Sequence, residues 1–212
     1  MVLKLYGSPI SPPVKLVATI CYEMNVPYEF VPIDLMKGET KSAEHLARNP
    51  WGKIPVIDDN GFILYESRAI VRYIADKYSA QGPQLIPTDV HKRARLEQAI
   101  SNEAFNWDRL VVPVLLETIY KKFLGGEIDP VKVEQLTNDL GKNLDVFERI
   151  LSKQKYIAGD ELTIADFYFL PGGFALEKGG VTVIQDRPNL KRWYNEISSL
   201  PSWQKAQTAL QA

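Results

Sequence analysis

The chain has 212 residues, 45% of them hydrophobic and 24% charged, with a net charge of −1. This is an ordinary globular composition with chain enough for a real core, and its near-neutral charge gives no general affinity for nucleic acid or an anionic membrane. No apolar run approaches the roughly 20 residues of a spanning helix, no basic segment leads into an apolar one at the N-terminus, and the lone Cys21 excludes an internal disulfide framework and fits a reducing, cytoplasmic setting.

Val2-Leu3-Lys4-Leu5-Tyr6 alternates like a strand, and Gly7-Ser8-Pro9 breaks it. Val14 to Met24 carries a helical pattern, with Ser11 as N-cap and Pro12 in the first helical position. Tyr28 to Ile33 is a second strand, so the chain opens on a βαβ unit whose outer strands are parallel. A polar loop is expected over 36–49. Strands at 54–57 and 62–65 then flank Asp58-Asp59-Asn60-Gly61, a hairpin signal. A helix from Ser67 to Tyr78 places Ile70, Ile74 and Tyr78 on one stripe.

The composition changes after that. Residues 81–88 form a linker around Gly82-Pro83 and Pro87, and strand signals all but vanish. Residues 89–120 are helical, with a kink expected at Pro113, and Gly125-Gly126 ends the segment. Pro130 to Leu151 is a second long helix. Thr163-x-x-Asp166 is a capping box with Leu162 and Phe167 at staple positions, and short helices follow near Pro188 and Pro201. The organisation is an α/β domain over 1–80 followed by an all-helical domain over 89–212. His45 and His91 lie far apart and form no metal-ligand pattern.

The segment 49–70 is chemically the densest. Pro55 at the mouth of a strand blocks further pairing there and leaves the N–H and C=O of Ile54 open. A helix beginning at Ser67 presents free N–H groups and a positive dipole end, which suit a carboxylate, and Glu66 beside it suits an ammonium. A backbone edge, an anion socket and a cation partner together fit a small zwitterionic peptide.

These residues resemble the glutathione transferase family. A thioredoxin-like βαβ–ββα unit with a mixed four-stranded sheet, a Pro-rich linker and a helical domain describe that fold, and the match runs over essentially the whole chain. Lys53-Ile54-Pro55 is similar to the loop whose proline is cis in the family. Glu66-Ser67-Arg68-Ala69-Ile70 is similar to its glutamyl-binding segment, and Leu162-Thr163-Ile164-Ala165-Asp166 to its helical capping motif. Gly7-Ser8-Pro9-Ile10-Ser11, Asn49-Pro50-Trp51-Gly52 and Glu103-Ala104 look most like the phi class of plants, which has fungal relatives. Thr40 stands where that class usually has histidine, Lys53 where it has glutamine, and Pro13 adds a second proline after the serine.

The resemblance implies a detoxifying transferase that uses glutathione as co-substrate, with no cofactor and no metal. It joins the tripeptide's sulfur to small hydrophobic electrophiles or reduces hydroperoxides. A carrier of apolar ligands, or a protein-interaction module, is the alternative on the same fold. An ordinary thiol has a pKa of about 8.5, and a hydrogen bond to the thiolate moves it by roughly one to two pH units. Ser11 is the implied donor; by pattern alone it is a helix cap. Tyr6 is the rival and Ser8 a lesser one, while Cys21 reads as core. Ile54 and Pro55 would hold the cysteinyl backbone, Glu66 and Ser67 the glutamyl end, and Lys41 and Lys53 the glycyl carboxylate; Arg68 braces the first domain. The apolar electrophile would lie between the domains against Ile10, Pro12, Leu35, Trp107, Val111, Leu115 and Phe174. Trp51 is implied as the contact of a homodimer.

Overall fold

Leu3–Gly7 forms β1, with Leu3 and Leu5 buried around an exposed Lys4, in a computed structural model that describes residues 2–210. β1 runs parallel to β2 (Tyr28–Pro32), with Leu3 opposite Tyr28 and Gly7 opposite Pro32. On its other side it pairs antiparallel with β3 (Val56–Asp59), and β3 with β4 (Phe62–Tyr65). The sheet therefore has the order β2-β1-β3-β4 and is mixed and four-stranded, as expected. Asn60 and Gly61 turn the hairpin with φ of 58° and 91°, the left-handed pair that a two-residue turn requires.

Helix α1 (Pro12–Glu23) crosses from β1 to β2 and buries Val14, Leu16, Val17 and Ile20. Ser11 is its N-cap and a proline opens it. Two expectations fail in this stretch. The polar loop contains a 3₁₀ turn, Glu39–Lys41, and a helix α2 (Ala43–Arg48), whose first turn is capped by Ser42 Oγ accepting from the His45 N–H at 3.1 Å. The third strand begins at Val56, two residues later than expected, since Pro55 has no N–H to give to the ladder; the Ile54–Pro55 peptide is cis. Helix α3 (Ser67–Lys77) follows β4 and packs on α1.

The helical part begins with α4 (Val90–Asn102), which passes through a π-helical turn (Glu103–Asp108) into α5 (Arg109–Leu115). A second π-helical turn (Leu116–Tyr120) leads to α6 (Lys121–Phe123). The run does not break at Pro113, which lies inside α5 between the two π-helical turns. Helix α7 spans Pro130–Leu151, the limits set by its proline and by Asp129, which accepts from the N–H of Val131 and Lys132. Helices α8 (Ile164–Lys178) and α9 (Pro188–Ser198) complete this part.

Its core is an aromatic cluster. The Phe169 ring lies 5.2, 5.4 and 5.0 Å from those of Trp107, Phe147 and Trp193. Beside it the buried Asp166 carboxylate accepts from the N–H groups of Ile157 and Thr163, both at 2.9 Å, and from the Trp193 indole at 2.8 Å. The expected capping motif thus also ties α8 to α9.

The chain divides into two compact units, one of them running from Ile86 to Ser198. The final helix α10 (Pro201–Ala209) belongs to the other unit, with the sheet, where it packs on α1 and buries Trp203, Ala206 and Leu210. The sequence division at 80 and 89 falls near the observed boundary, but its assignment of everything after 89 to the helical part is corrected by this return. Among the described residues no helix is long and apolar enough to cross a membrane.

Candidate functional site

The sheet register gathers the expected peptide-binding residues at one end. Tyr6 pairs with Val56, and Val56 with Tyr65, so the exit of β1, the entry of β3 and the exit of β4 share that end. Gly7 opposite Pro32 brings the exit of β2 there too. Across the sheet end the order is therefore 33–35, 8–11, 54–55 and 66–67.

At the second position, Ser11 lies in extended backbone with φ −79° and ψ 117°. Its carbonyl accepts from the N–H of Val14 and Lys15, both at 3.1 Å, and its own N–H donates to the Ser8 carbonyl at 3.0 Å. The backbone does the capping, and the half-buried hydroxyl makes no capping bond. A free O–H thus stands at the positive end of α1, where both donor and dipole favour an anion.

The 49–55 loop is fixed from beneath. Buried Asn49 donates through Nδ2 to the Lys53 carbonyl at 2.9 Å and accepts through Oδ1 from the Trp51 N–H at 3.0 Å. His45, also buried, places Nε2 2.9 Å from the same Lys53 carbonyl, which can only accept, so Nε2 carries the proton. Gly52 has φ 59°, and a Cβ there would sit 2.7 Å from Lys41 Nζ and 2.8 Å from the Thr40 carbonyl. Lys41 donates to the carbonyls of Trp51 and Gly52 at 3.3 and 3.4 Å. The result is a rigid loop carrying the cis Ile54–Pro55 peptide, with no backbone bond to Ile54 N–H or C=O among the described residues.

Glu66 closes the row. It precedes α3 with φ 70°, a conformation a non-glycine residue rarely holds without a functional constraint, and its carboxylate is exposed. Ser67 opens the helix and is half-buried.

Residues 5–83 match the family model described as the glutathione S-transferase N-terminal domain, and residues 109–201 match the corresponding C-terminal domain. The chain belongs to the glutathione S-transferase family, in its phi class. It is 39% identical over 210 residues to glutathione S-transferase 3 of Zea mays, covering 98% of this chain and 94% of the relative. Glutathione transferase F7 of Populus trichocarpa superimposes with a TM-score of 0.93 at 34% identity over 100% of both chains. Maize glutathione S-transferase I, solved in complex with an atrazine glutathione conjugate, gives 0.90 at 34% identity, covering 99% of this chain and 98% of that one.

Within this transferase, other expected residues fall differently. Tyr6 is 7% exposed and lies under the Arg48 guanidinium, 4.4 Å from its ring centroid, so it packs in the core. Ser8 is buried, and burial pushes the Cys21 thiol far up, which leaves it inert. Ile10 and Leu35 are exposed at the sheet end and Pro12 is half-buried. Trp107, Val111 and Leu115 are corrected. At 1%, 0% and 7% exposure they are core of the helical unit, with Trp107 against Phe169 and both Trp107 and Val111 against Gly172. The exposed apolar stripe on that helix lies one residue further on, at Val112, Leu116 and Tyr120. Phe174 is half-buried on α8 beneath the Lys178 ammonium. Sequence reasoning missed His45 and Arg48; the Ser42 cap was the available signal for the helix that positions them.

Proposed function

We propose that this transferase lays glutathione along the sheet end and transfers its sulfur to small apolar electrophiles, with Ser11 donating to the thiolate. The Ser11 hydroxyl, uncommitted at the N-terminus of α1, carries this reading. Ile54 offers its N–H and C=O to the cysteinyl residue as an added strand would. Glu66 meets the glutamyl ammonium, and Ser67 with the first N–H groups of α3 meets the glutamyl carboxylate. Lys41 and the exposed Lys53 attract the glycyl carboxylate, Lys53 as a point charge where an amide would be directional. Ile10, Pro12 and Leu35 offer apolar surface beside the sulfur.

With an aromatic halide, the sulfur's electron pair forms the new carbon–sulfur bond, the halide leaves with its pair, and the thiol proton passes to solvent. A single charge-assisted hydrogen bond makes the thiolate a large fraction at neutral pH, so the chemistry needs neither metal nor general base. The conjugate held by the maize neighbour supports conjugation here. We read the working form as a cytoplasmic homodimer, with Trp51 as an anchor at the contact.

Ser11→Ala is the test. The pH at which bound glutathione ionises, followed by thiolate absorbance, should rise by about one to two pH units. Turnover of a chlorodinitrobenzene at neutral pH should fall about ten- to a hundredfold, with glutathione affinity nearly unchanged. An unmoved ionisation profile would remove Ser11 from the mechanism.

A further inference from the structure

Two buried side chains grip one carbonyl. His45 on α2 and Asn49 just past it are each 1% exposed. Both donate to the Lys53 carbonyl at 2.9 Å, His45 through Nε2 and Asn49 through Nδ2. A carbonyl oxygen has two lone pairs, so its accepting capacity is filled. The Lys53–Ile54 peptide is trans and planar, and in such a unit the C=O and the following N–H point in opposite directions. Holding the Lys53 carbonyl toward α2 therefore turns the Ile54 N–H away from it. That N–H has no backbone partner among the described residues, and Ile54 is only half-buried.

Folding alone does not ask for a histidine here. With the proton on Nε2, Nδ1 is an acceptor, and it is buried without a hydrogen-bond partner. A buried polar atom left unsatisfied is a cost that an apolar side chain of similar size avoids. The first turn of α2 does not need the ring either, since its cap is Ser42 Oγ accepting from the His45 backbone N–H at 3.1 Å. Asn49 differs, because it also accepts from the Trp51 N–H at 3.0 Å and so shapes its own turn. The hydrogen bond of the His45 ring goes to the carbonyl behind Ile54.

We propose that His45 is a positioning residue for glutathione, which aims the Ile54 N–H at the cysteinyl carbonyl of the tripeptide. This rests on the assignment of Ile54 to the cysteinyl backbone. An N–H fixed before the substrate arrives leaves less ordering to be done on binding. The ring acts on affinity and leaves the thiolate to Ser11.

His45→Leu removes the donor, whereas His45→Gln keeps an N–H at the same number of bonds from Cα as Nε2. Titration calorimetry should show glutathione affinity about fivefold weaker in His45→Leu, the worth of one hydrogen bond, and within about twofold of the parent in His45→Gln. The pH at which the bound thiol ionises should not move in either. In protein isotope-labelled at isoleucine, the Ile54 amide signal is identified as the one missing in Ile54→Val. It should shift on adding glutathione in the parent and in His45→Gln, and shift less in His45→Leu. Thermal unfolding records any separate loss of stability, and should His45→Leu not fold, His45→Phe carries the same measurements. A parent Ile54 amide that ignores glutathione would remove Ile54 as a contact, and the role of His45 with it. A responsive parent amide, with full affinity and an equal shift in the variant lacking the donor, would overturn the role of His45 alone.

Discussion

At Glu66 a backbone cost stands against the role proposed for the side chain. Its φ of 70° costs a non-glycine residue about 1–3 kcal/mol, and no hydrogen bond from its side chain offsets that. Glycine would relieve the backbone while adding about 0.5–1 kcal/mol of unfolded-chain entropy to lose, so Glu66→Gly should leave stability within about 1–2 kcal/mol of the parent or raise it. Glutathione affinity should nonetheless drop about tenfold or more through loss of the ammonium's partner. Thermal unfolding and calorimetry on the same sample decide it; full glutathione affinity would show that the strained carboxylate has another purpose. The places of Ser11, Ile54, Glu66 and Ser67, at two helix starts and beside a proline, were legible in the sequence because proline and helix-start chemistry mark them locally. The helical stripe was not, since Trp107, Val111 and Leu115 share their spacing with the exposed Val112, Leu116 and Tyr120. Spacing defines a face without saying which way it looks, and two π-helical turns disturb the count further.

At the scale of elements, Asp59 fastens the β3–β4 hairpin to the last turn of α3. Its carboxylate accepts from Lys77 Nζ at 2.6 Å and from the hydroxyls of Tyr73 and Tyr78, both at 2.9 Å. Burial alone would raise this carboxyl, but the bonds from Lys77, Tyr78 and Tyr73 outweigh it and hold the group below its ordinary 3.8. A lowered folded-state pKa contributes stability that is complete above the ordinary value and lost as the pH falls through the folded one. The parent should therefore lose part of its stability as the pH falls below about 5 and on through the lowered folded-state pKa, and Asp59→Asn should be weaker at neutral pH with a flatter acid limb. Urea midpoints across that range measure it, and parallel acid limbs would exclude Asp59 as the titrating group. Elements with strong punctuation were readable to within a residue or two, as at α7 between Pro130 and Leu151 and β4 after Asn60-Gly61. Helix α2 was not, because six mostly polar residues carry too little apolar periodicity to separate a helix from a loop.

For the whole molecule, chain order misleads about membership. The polypeptide leaves the sheet-containing unit after residue 85 and returns for α10, where Lys15 Nζ donates to Gln207 Oε1 at 3.0 Å, 192 positions away. No local pattern announces such a partner; only the core residues of α10 hint that something must cover them. Trp51 poses the converse case. Its indole is 67% exposed although its backbone is held on every side, by Asn49, by Lys41 and by Gly52 in a left-handed turn. A large aromatic displayed on a rigid loop loses little freedom when buried by a partner, and tryptophan is enriched among the residues that dominate interfaces, at about 2 kcal/mol or more each. Trp51→Ala should therefore raise the dissociation constant of the proposed homodimer by about thirtyfold or more. The monomer's own melting should change little, since the side chain fills no space in its unit. Sedimentation over a dilution series of parent and variant separates the two effects, and identical association at every concentration would mean that the homodimer, if formed, closes on another surface.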